Sequence, residues 1–126
     1  MNNNLKYHTA FYMGILLKKN KLDPVMLLEY FIERYKNSSK NEKLSFSKIL
    51  INQARKEAEL SWFRQKKKER LSFFDGIPIV WKDLIDIVGY PAFAGSKLIK
   101  KIRKNQKVED AQIVTLARKS GLISLA

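Results

Sequence analysis

The sequence contains no cysteine, which excludes disulfide bridges and thiolate chemistry. Histidine is nearly missing too. His8 is the only one, so neither a histidine-based metal site nor a histidine-assisted nucleophile is to be expected. Glycine is sparse, with 5 residues, none adjacent to another. Acidic residues are outnumbered, 12 against 25 lysines and arginines, for a formal net charge of +13. No segment approaches the ~18 consecutive apolar residues of a membrane span. The short apolar run Phe11 to Leu17 follows Lys6 but leads into Lys18, Lys19 and Lys21 without a small-residue cleavage site. It reads as part of a helix rather than a signal peptide, and the protein as cytoplasmic.

What is present is enough for one small domain: 126 residues, 45% of them hydrophobic, a globular composition able to bury a modest core. The basic excess is compatible with a nucleic acid or an anionic membrane as partner. It is equally compatible with a piece of a longer chain whose acidic counterpart lies elsewhere. Because the charge is mostly lysine scattered among asparagines, without arginine clusters, we read it as solvated surface.

The first half reads as helices. Residues 5–18 form a first helix with Phe11, Ile15 and Leu16 on its inner side, Gly14 being a weak point. Asp23 caps a second helix and Pro24 fits its first turn. Leu28, Phe31, Ile32 and Tyr35 supply its apolar stripe, and it ends near Lys36 before the polar run 37–41. Residues 44–50 suggest a short extended piece. A third helix starts near Ile51, with Ile51, Ala54, Ala58 and Trp62 on one face, the alanines predicting close packing. Its tail, Lys66 to Arg70, reads as a solvated helix end, since no glycine or aromatic interleaving supports a nucleic-acid patch.

The texture changes at Leu71. Asp75-Gly76 signals a turn, and Ile77 to Trp81 a short buried strand with proline near its start. Residues 85–88 suggest a second strand, 89–96 a loop, and 97–107 a basic exposed stretch. A last helix is expected from Glu109-Asp110, with Ile113, Leu116 and Ala117 buried, Lys119 in its last turn and Gly121 just beyond it. Residues 122–126 then read as a strand. Helix, glycine, apolar strand is the return leg of a β-α-β unit, and a chain that stops there reads as a truncation, a split gene or a partial reading frame. The division expected is one incomplete domain over 1–126, with a helical region at 1–70 and the start of an α/β core at 71–126. Its sheet would have few strands and an open edge. No internal repeat is visible.

Lys82 stands out on chemistry alone. It follows an apolar strand and precedes Asp83 and Leu84. A lysine hemmed in at a strand end loses hydration of its amine, and desolvation favours the neutral form that a lysine base requires. The competing reading is a side chain that snorkels to solvent or pairs with Asp83 or Asp86.

The stretch Phe74-Asp75-Gly76-Ile77-Pro78-Ile79-Val80-Trp81-Lys82-Asp83-Leu84-Ile85-Asp86 resembles the opening motif of the amidase signature family, a D-G-I-P stretch followed by an apolar pair, K-D and I-D. Gly89 to Ser96 resembles the loop that follows, ending in A-G-S. Glu109-Asp110-Ala111 with Ile113, Val114 and Leu116 is similar to the family's D-A-x-V-V-x-x-L helix, and Ser120 to Ile123 to its A-G-A-I entry into the next strand. Leu22-Asp23-Pro24 with residues 28–34, and Ala54 to Ala58, resemble its second and third helices. The resemblance runs in order from residue 22 almost to the end. It implies an α/β fold with N-terminal helices ahead of a mixed sheet, here incomplete. It also implies an amidase-type hydrolase acting on a small-molecule amide. The family's chemistry uses a serine nucleophile, a second serine preceded by a cis peptide bond, and a lysine; the position matching that lysine is Lys82. No metal or cofactor is implied.

The sequence departs from the pattern in one decisive respect. The glycine- and serine-rich segment that supplies both serines and the oxyanion-binding N–H groups is not in these residues. Ser96 fits the structural serine of A-G-S and Ser124 matches no nucleophile, so residues 1–126 are expected to be inactive alone. Ala92-Phe93 in place of threonines, and Trp81 in place of a smaller residue, are lesser departures. The A subunit of a transfer-RNA-dependent amidotransferase is the nearest alternative, although Gly89-Tyr90-Pro91 favours a general amidase. A small basic protein that binds nucleic acid or another acidic partner without catalysis is the alternative from another class.

Overall fold

The computed structural model describes Leu5 and residues 8–126. In chain order it has α1 (Ala10–Lys18), α2 (Pro24–Asn37), α3 (Lys40–Lys43), α4 (Ile51–Lys67), β1 (Pro78–Ile79), α5 (Lys97–Arg103), α6 (Gln112–Lys119) and β2 (Ile123–Ser124). The class expected from the sequence is present: helices first, then a small sheet wound through a helical crossover. β1 and β2 pair in parallel, Pro78 opposite Ile123 and Ile79 opposite Ser124. The pairing continues past both strands, from Gly76 N–H donating to Gly121 O (2.9 Å) to Trp81 N–H donating to Ala126 O (2.8 Å).

Local chemistry sets the helix ends. Thr9 caps α1, accepting from Tyr12 N–H, and Asp23 caps α2, accepting from Val25 and Met26 N–H. The polar run expected merely to break α2 also starts α3, through a capping box between Ser39 and Glu42. The start expected for the first helix falls partly on residues 6 and 7, outside the described residues. Its inner face differs from expectation. Met13, Gly14 and Leu17 are buried, whereas Phe11 is 61% exposed. The reason is Phe73, which seats against Gly14 so closely that a Cβ there would lie 2.5 Å from the ring. The glycine is the contact, not a weakness.

The central core joins α2, α4 and β2 through Leu28, Ile32, Ala54, Ala58, Ile123 and Leu125. The alanines allow α4 to approach α2, as their spacing predicted. Beyond Ala58, the inward face of α4 turns to Ser61 and Gln65, and Trp62 is only half-buried. Gln65 donates to Leu17 O and Leu22 O (2.7 and 2.9 Å), so a satisfied amide occupies the place where the apolar pattern put an indole. Two other clusters flank this core. One is Leu5, Met13, Leu17, Leu27 and Ile77; the other is Leu50, Ile87 and Val114.

Further corrections come from the second half. Residues 85–88 form no strand but a tight reversal, in which Ile87 and Tyr90 exchange main-chain hydrogen bonds across Gly89. Residues 97–102 are exposed, as read, but 97–103 are helical, with Ser96 as N-cap, and Arg103 is half-buried. α6 begins at Gln112 rather than near Glu109, and it buries Val114 while Ile113 and Leu116 are each 55% exposed. The cause is polar. Arg118, one turn beyond Val114, must face inward to pair with Glu57 of α4 and with Asp110 (2.7 Å). Glu57 also accepts from Ser124 N–H (2.8 Å), so α4, α6 and β2 share one ionic junction.

The most buried charge is Asp75, with no exposed surface. Its carboxylate takes a two-pronged hydrogen bond from Arg64, 2.8 Å at each oxygen, and another from Leu71 N–H at 2.9 Å. Arg70, expected in a solvated tail, folds back to donate to Phe73 O and Asp75 O. Gly121, at φ +85°, abuts Asp75, and a Cβ there would lie 2.4 Å from the carboxyl carbon. Burial alone would raise the Asp75 carboxyl. The bonds from Arg64, Leu71 and Ser61 and the charge of Arg64 outweigh it, holding the group below its usual 3.8.

Removing one partner of a buried pair costs about 3–5 kcal/mol, most or all of the stability of so small a domain. Asp75→Ala is therefore expected to unfold at far lower urea than wild type. Glu29→Gln breaks the Arg55–Glu29 bridge, whose partners are 43% and 42% exposed, and is expected to cost under about 1 kcal/mol. Equal midpoints for the two variants would contradict this ranking. A depressed carboxyl stabilises the fold fully above its unfolded value of 3.8 and loses that contribution as pH falls through the lower folded value. An acid titration followed by circular dichroism should show stability declining below about pH 4, with a shallower decline in Asp75→Asn.

Candidate functional site

Lys82 follows β1 at the point where the strand leaves the sheet. Trp81, just before it, is pinned twice to the β2 side, by its main-chain N–H on Ala126 O and by its indole Nε1–H on Ser124 Oγ (3.1 Å). Lys82 O then accepts from Leu84 N–H (2.7 Å) and Ile85 N–H (3.1 Å), which turns the chain sharply away. The lysine is thereby set on the wall of a cleft of about 660 Å³ and also borders a neighbouring one of about 530 Å³. Its side chain is exposed. The hemmed-in amine expected from the apolar strand is not formed by these residues, because Val80 and Leu84 on either side are themselves 51% and 61% exposed.

Neither aspartate of the motif pairs with Lys82. Asp83 turns to the opposite wall, its oxygens accepting from Phe93 N–H (2.9 Å) and Gly95 N–H (3.2 Å) while its carbonyl accepts from Ala94 N–H (2.8 Å). Three successive N–H groups thus converge on one residue. Their convergence holds Ala94 and Gly95 at φ +51° and +68°, a region that costs a non-glycine residue about 1–2 kcal/mol. Asp86 accepts from Ala92 N–H (2.8 Å) and pairs with Arg103 (2.9 Å), which also donates to Ala92 O. The Arg103 bond, the Ala92 N–H and the Arg103 charge together hold the Asp86 carboxyl below its usual value, against a small opposing effect of burial. The two carboxylates, one of which the competing reading paired with the lysine, instead fasten the facing loop, and Lys82 reaches solvent as that reading's other arm had it.

Of the serines, Ser96 accepts from Ile99 N–H as the cap of α5, and Ser124 is buried against Trp81. The cleft also gathers residues that the sequence reading did not single out. Lys48 comes from the segment before α4, and Lys97, Lys100 and Lys104 come from α5 and its end. Their spacing of three and four residues is a helical face, a signal that was readable once residues 97–103 were recognised as a helix. Among the described residues, no group of three or more histidine, cysteine or acidic side chains is placed to hold a metal ion. No helix among them is long and apolar enough to cross a membrane.

A helical N-terminal layer stands ahead of a parallel strand pair wound through a helical crossover, an α/β arrangement. The family model Amidase matches residues 26–126, and the chain belongs to that family. Among solved structures, the peptide amidase from Stenotrophomonas maltophilia superposes with a TM-score of 0.83 at 18% identity, over 98% of this chain and 25% of its own. A structure described simply as an amidase gives 0.78 at 24% identity, over 94% and 26%. A bacterial aryl acylamidase of the amidase signature enzymes gives 0.79 at 17%, over 94% and 24%. At these identities the likeness is one of fold, and the chain spans about a quarter of the length of each. No curated protein sequence matches it.

If Asp83 holds the facing loop, Asp83→Ala should raise the hydrogen-exchange rates of the Phe93 and Gly95 amides at least about tenfold, a loss of roughly 1–3 kcal/mol of local stability. Unchanged protection at both amides would show that the loop is held by something else.

Proposed function

We propose that the chain supplies the lysine of an amide-hydrolysing site, in which Lys82 is the base of a serine, cis-serine and lysine relay. The observation that carries this reading is the seat of Lys82: at the end of β1, on the wall of a cleft, in a chain that belongs to the Amidase family.

In this mechanism a neutral lysine amine takes a proton relayed through a bridging serine as the nucleophilic serine attacks the amide carbonyl. An acyl-enzyme forms, the amine or ammonia leaves with a proton, and water then releases the acid. The nucleophile, the bridging serine and the oxyanion-binding N–H groups would have to come from a glycine- and serine-rich segment, which residues 1–126 do not contain. Ser96 and Ser124 are already engaged in a helix cap and a buried hydrogen bond, so on this reading the 126 residues alone do not turn over amides. That segment would also have to provide the cover that Lys82 lacks here, since a lysine serves as a base only where its charged form loses hydration.

The test joins these residues to such a segment and assays simple primary amides. Lys82→Ala is expected to lower turnover by about 10²–10⁴-fold with the circular dichroism spectrum unchanged, and the 126-residue chain alone to give no turnover. Full turnover by the Lys82→Ala protein would remove the lysine from the chemistry.

A further inference from the structure

We propose that the cleft beside Lys82 selects an amide that carries a carboxylate of its own, held by the lysines that surround it. The proposal rests on reading this cleft as the amide site. Besides Lys82, the proposed base, its lining holds four lysines, Lys48, Lys97, Lys100 and Lys104, and one acidic side chain, Asp83. Asp83 spends its carboxylate on the N–H groups of Phe93 and Gly95. None of the five lysines forms an ion pair among the described residues. The lining therefore carries an uncompensated excess of positive charge in a concavity, the arrangement that concentrates anions.

This differs from a solvated basic helix face. The five lysines reach the cleft from three separate segments: the stretch before α4, the end of β1, and α5 with its cap. Lys101, on the same helix as Lys100, does not line it. Two of them lie over rings of the cleft itself, Lys48 Nζ at 5.5 Å from the Tyr90 centroid and Lys100 Nζ at 5.8 Å from that of Phe93. Such contacts restrict the ammonium groups to the rim. Leu50, Ile87 and Pro91 supply apolar wall between them. The volume of about 660 Å³ suits a small molecule rather than a polymer. The ligand that fits is a short carbon skeleton with an amide at one end and a carboxylate at the other.

The experiment titrates the 126-residue chain, followed by the NMR signals of its main-chain amides, with succinamate (one amide, one carboxylate) and with succinamide, its uncharged counterpart. Succinamate is expected to move the signals of Lys82, Phe93 and Ser96 and to bind about tenfold more tightly than succinamide at low salt, a modest sum of exposed charge interactions. The preference should vanish near 1 M salt, where screening shortens to about 3 Å. It should also vanish in the double variant Lys97→Gln, Lys100→Gln, whose exposed side chains can change without disturbing the core. Lys119→Gln, on α6 and away from the cleft, should keep it. Equal affinity for the two probes, no binding of either, or a preference that survives in the double variant would overturn the proposal. Because binding rather than turnover is read, these outcomes are independent of whether Lys82 acts as a base, which the Lys82→Ala assay decides separately.

Discussion

The fold depends most on the ion pair between Asp75 and Arg64. Asp75 is sealed from solvent at the turn that starts β1, and Arg64 reaches it from the last full turn of α4. A carboxylate in that position would be strongly unfavourable unless its hydrogen-bonding capacity were filled. It is filled by the guanidinium fork and by the Leu71 N–H. The pair thereby fixes the distance between the helical layer and the strand that leads to Lys82. Gly121 packs directly on Asp75, so the end of α6 and the start of β2 are registered against the same group. Helical layer, first strand and returning strand meet at one carboxylate, and a shift of that carboxylate would move all three.

The same logic recurs at the site. Asp83 and Asp86 lie beyond Asp75 on the far side of β1, and each accepts from main-chain N–H groups of the loop opposite Lys82. Carboxylates bonded to N–H groups hold loop conformations that neutral residues do not, such as the consecutive positive φ values of Ala94 and Gly95. The sequence K-D-x-x-D thus encodes one wall of the cleft, Lys82, and the two fasteners of the other. An arginine at position 103 completes the second fastener while its neighbours Lys100 and Lys104 face the cleft.

Much of this was legible before any coordinates. Asp23-Pro24 located the start of α2 because a cap and a helix-ready φ are local properties. Gly121 marked the end of α6 because the left-handed turn is local too. Ala54 and Ala58 foretold a close helix contact. Trp62, Ile113 and Leu116 were placed wrongly for a shared reason. A stripe of apolar residues is an argument about average burial, and here polar side chains with specific partners set the helix rotations. Gln65 took the inner position of α4 by bonding two carbonyls, and Arg118 took that of α6 by joining Glu57 and Asp110. Leu17, Leu22 and Glu57 lie 48, 43 and 61 residues in sequence from the side chains they bond, beyond any window a periodicity count uses. The roles of Asp83 and Asp86 were missed similarly, since nothing in K-D-x-x-D says that its acids look across a cleft rather than back at the lysine.

The exposure of Lys82 narrows what a catalytic reading can require. An apolar strand suggested a lysine dehydrated by its own neighbours, yet the strand is two residues long and both flanks of the lysine face solvent. The surroundings a lysine base needs therefore cannot come from β1, whatever its composition. They must come from groups laid over the cleft, and those groups would meet Val80 and Leu84 along with the amine. On this account the local sequence specifies where the amine stands, through Trp81 and the turn at Lys82, and leaves its hydration to be set by whatever packs against that side. The position of the amine is thus a local property of residues 81–85, readable from sequence, whereas its hydration is not set by these neighbours.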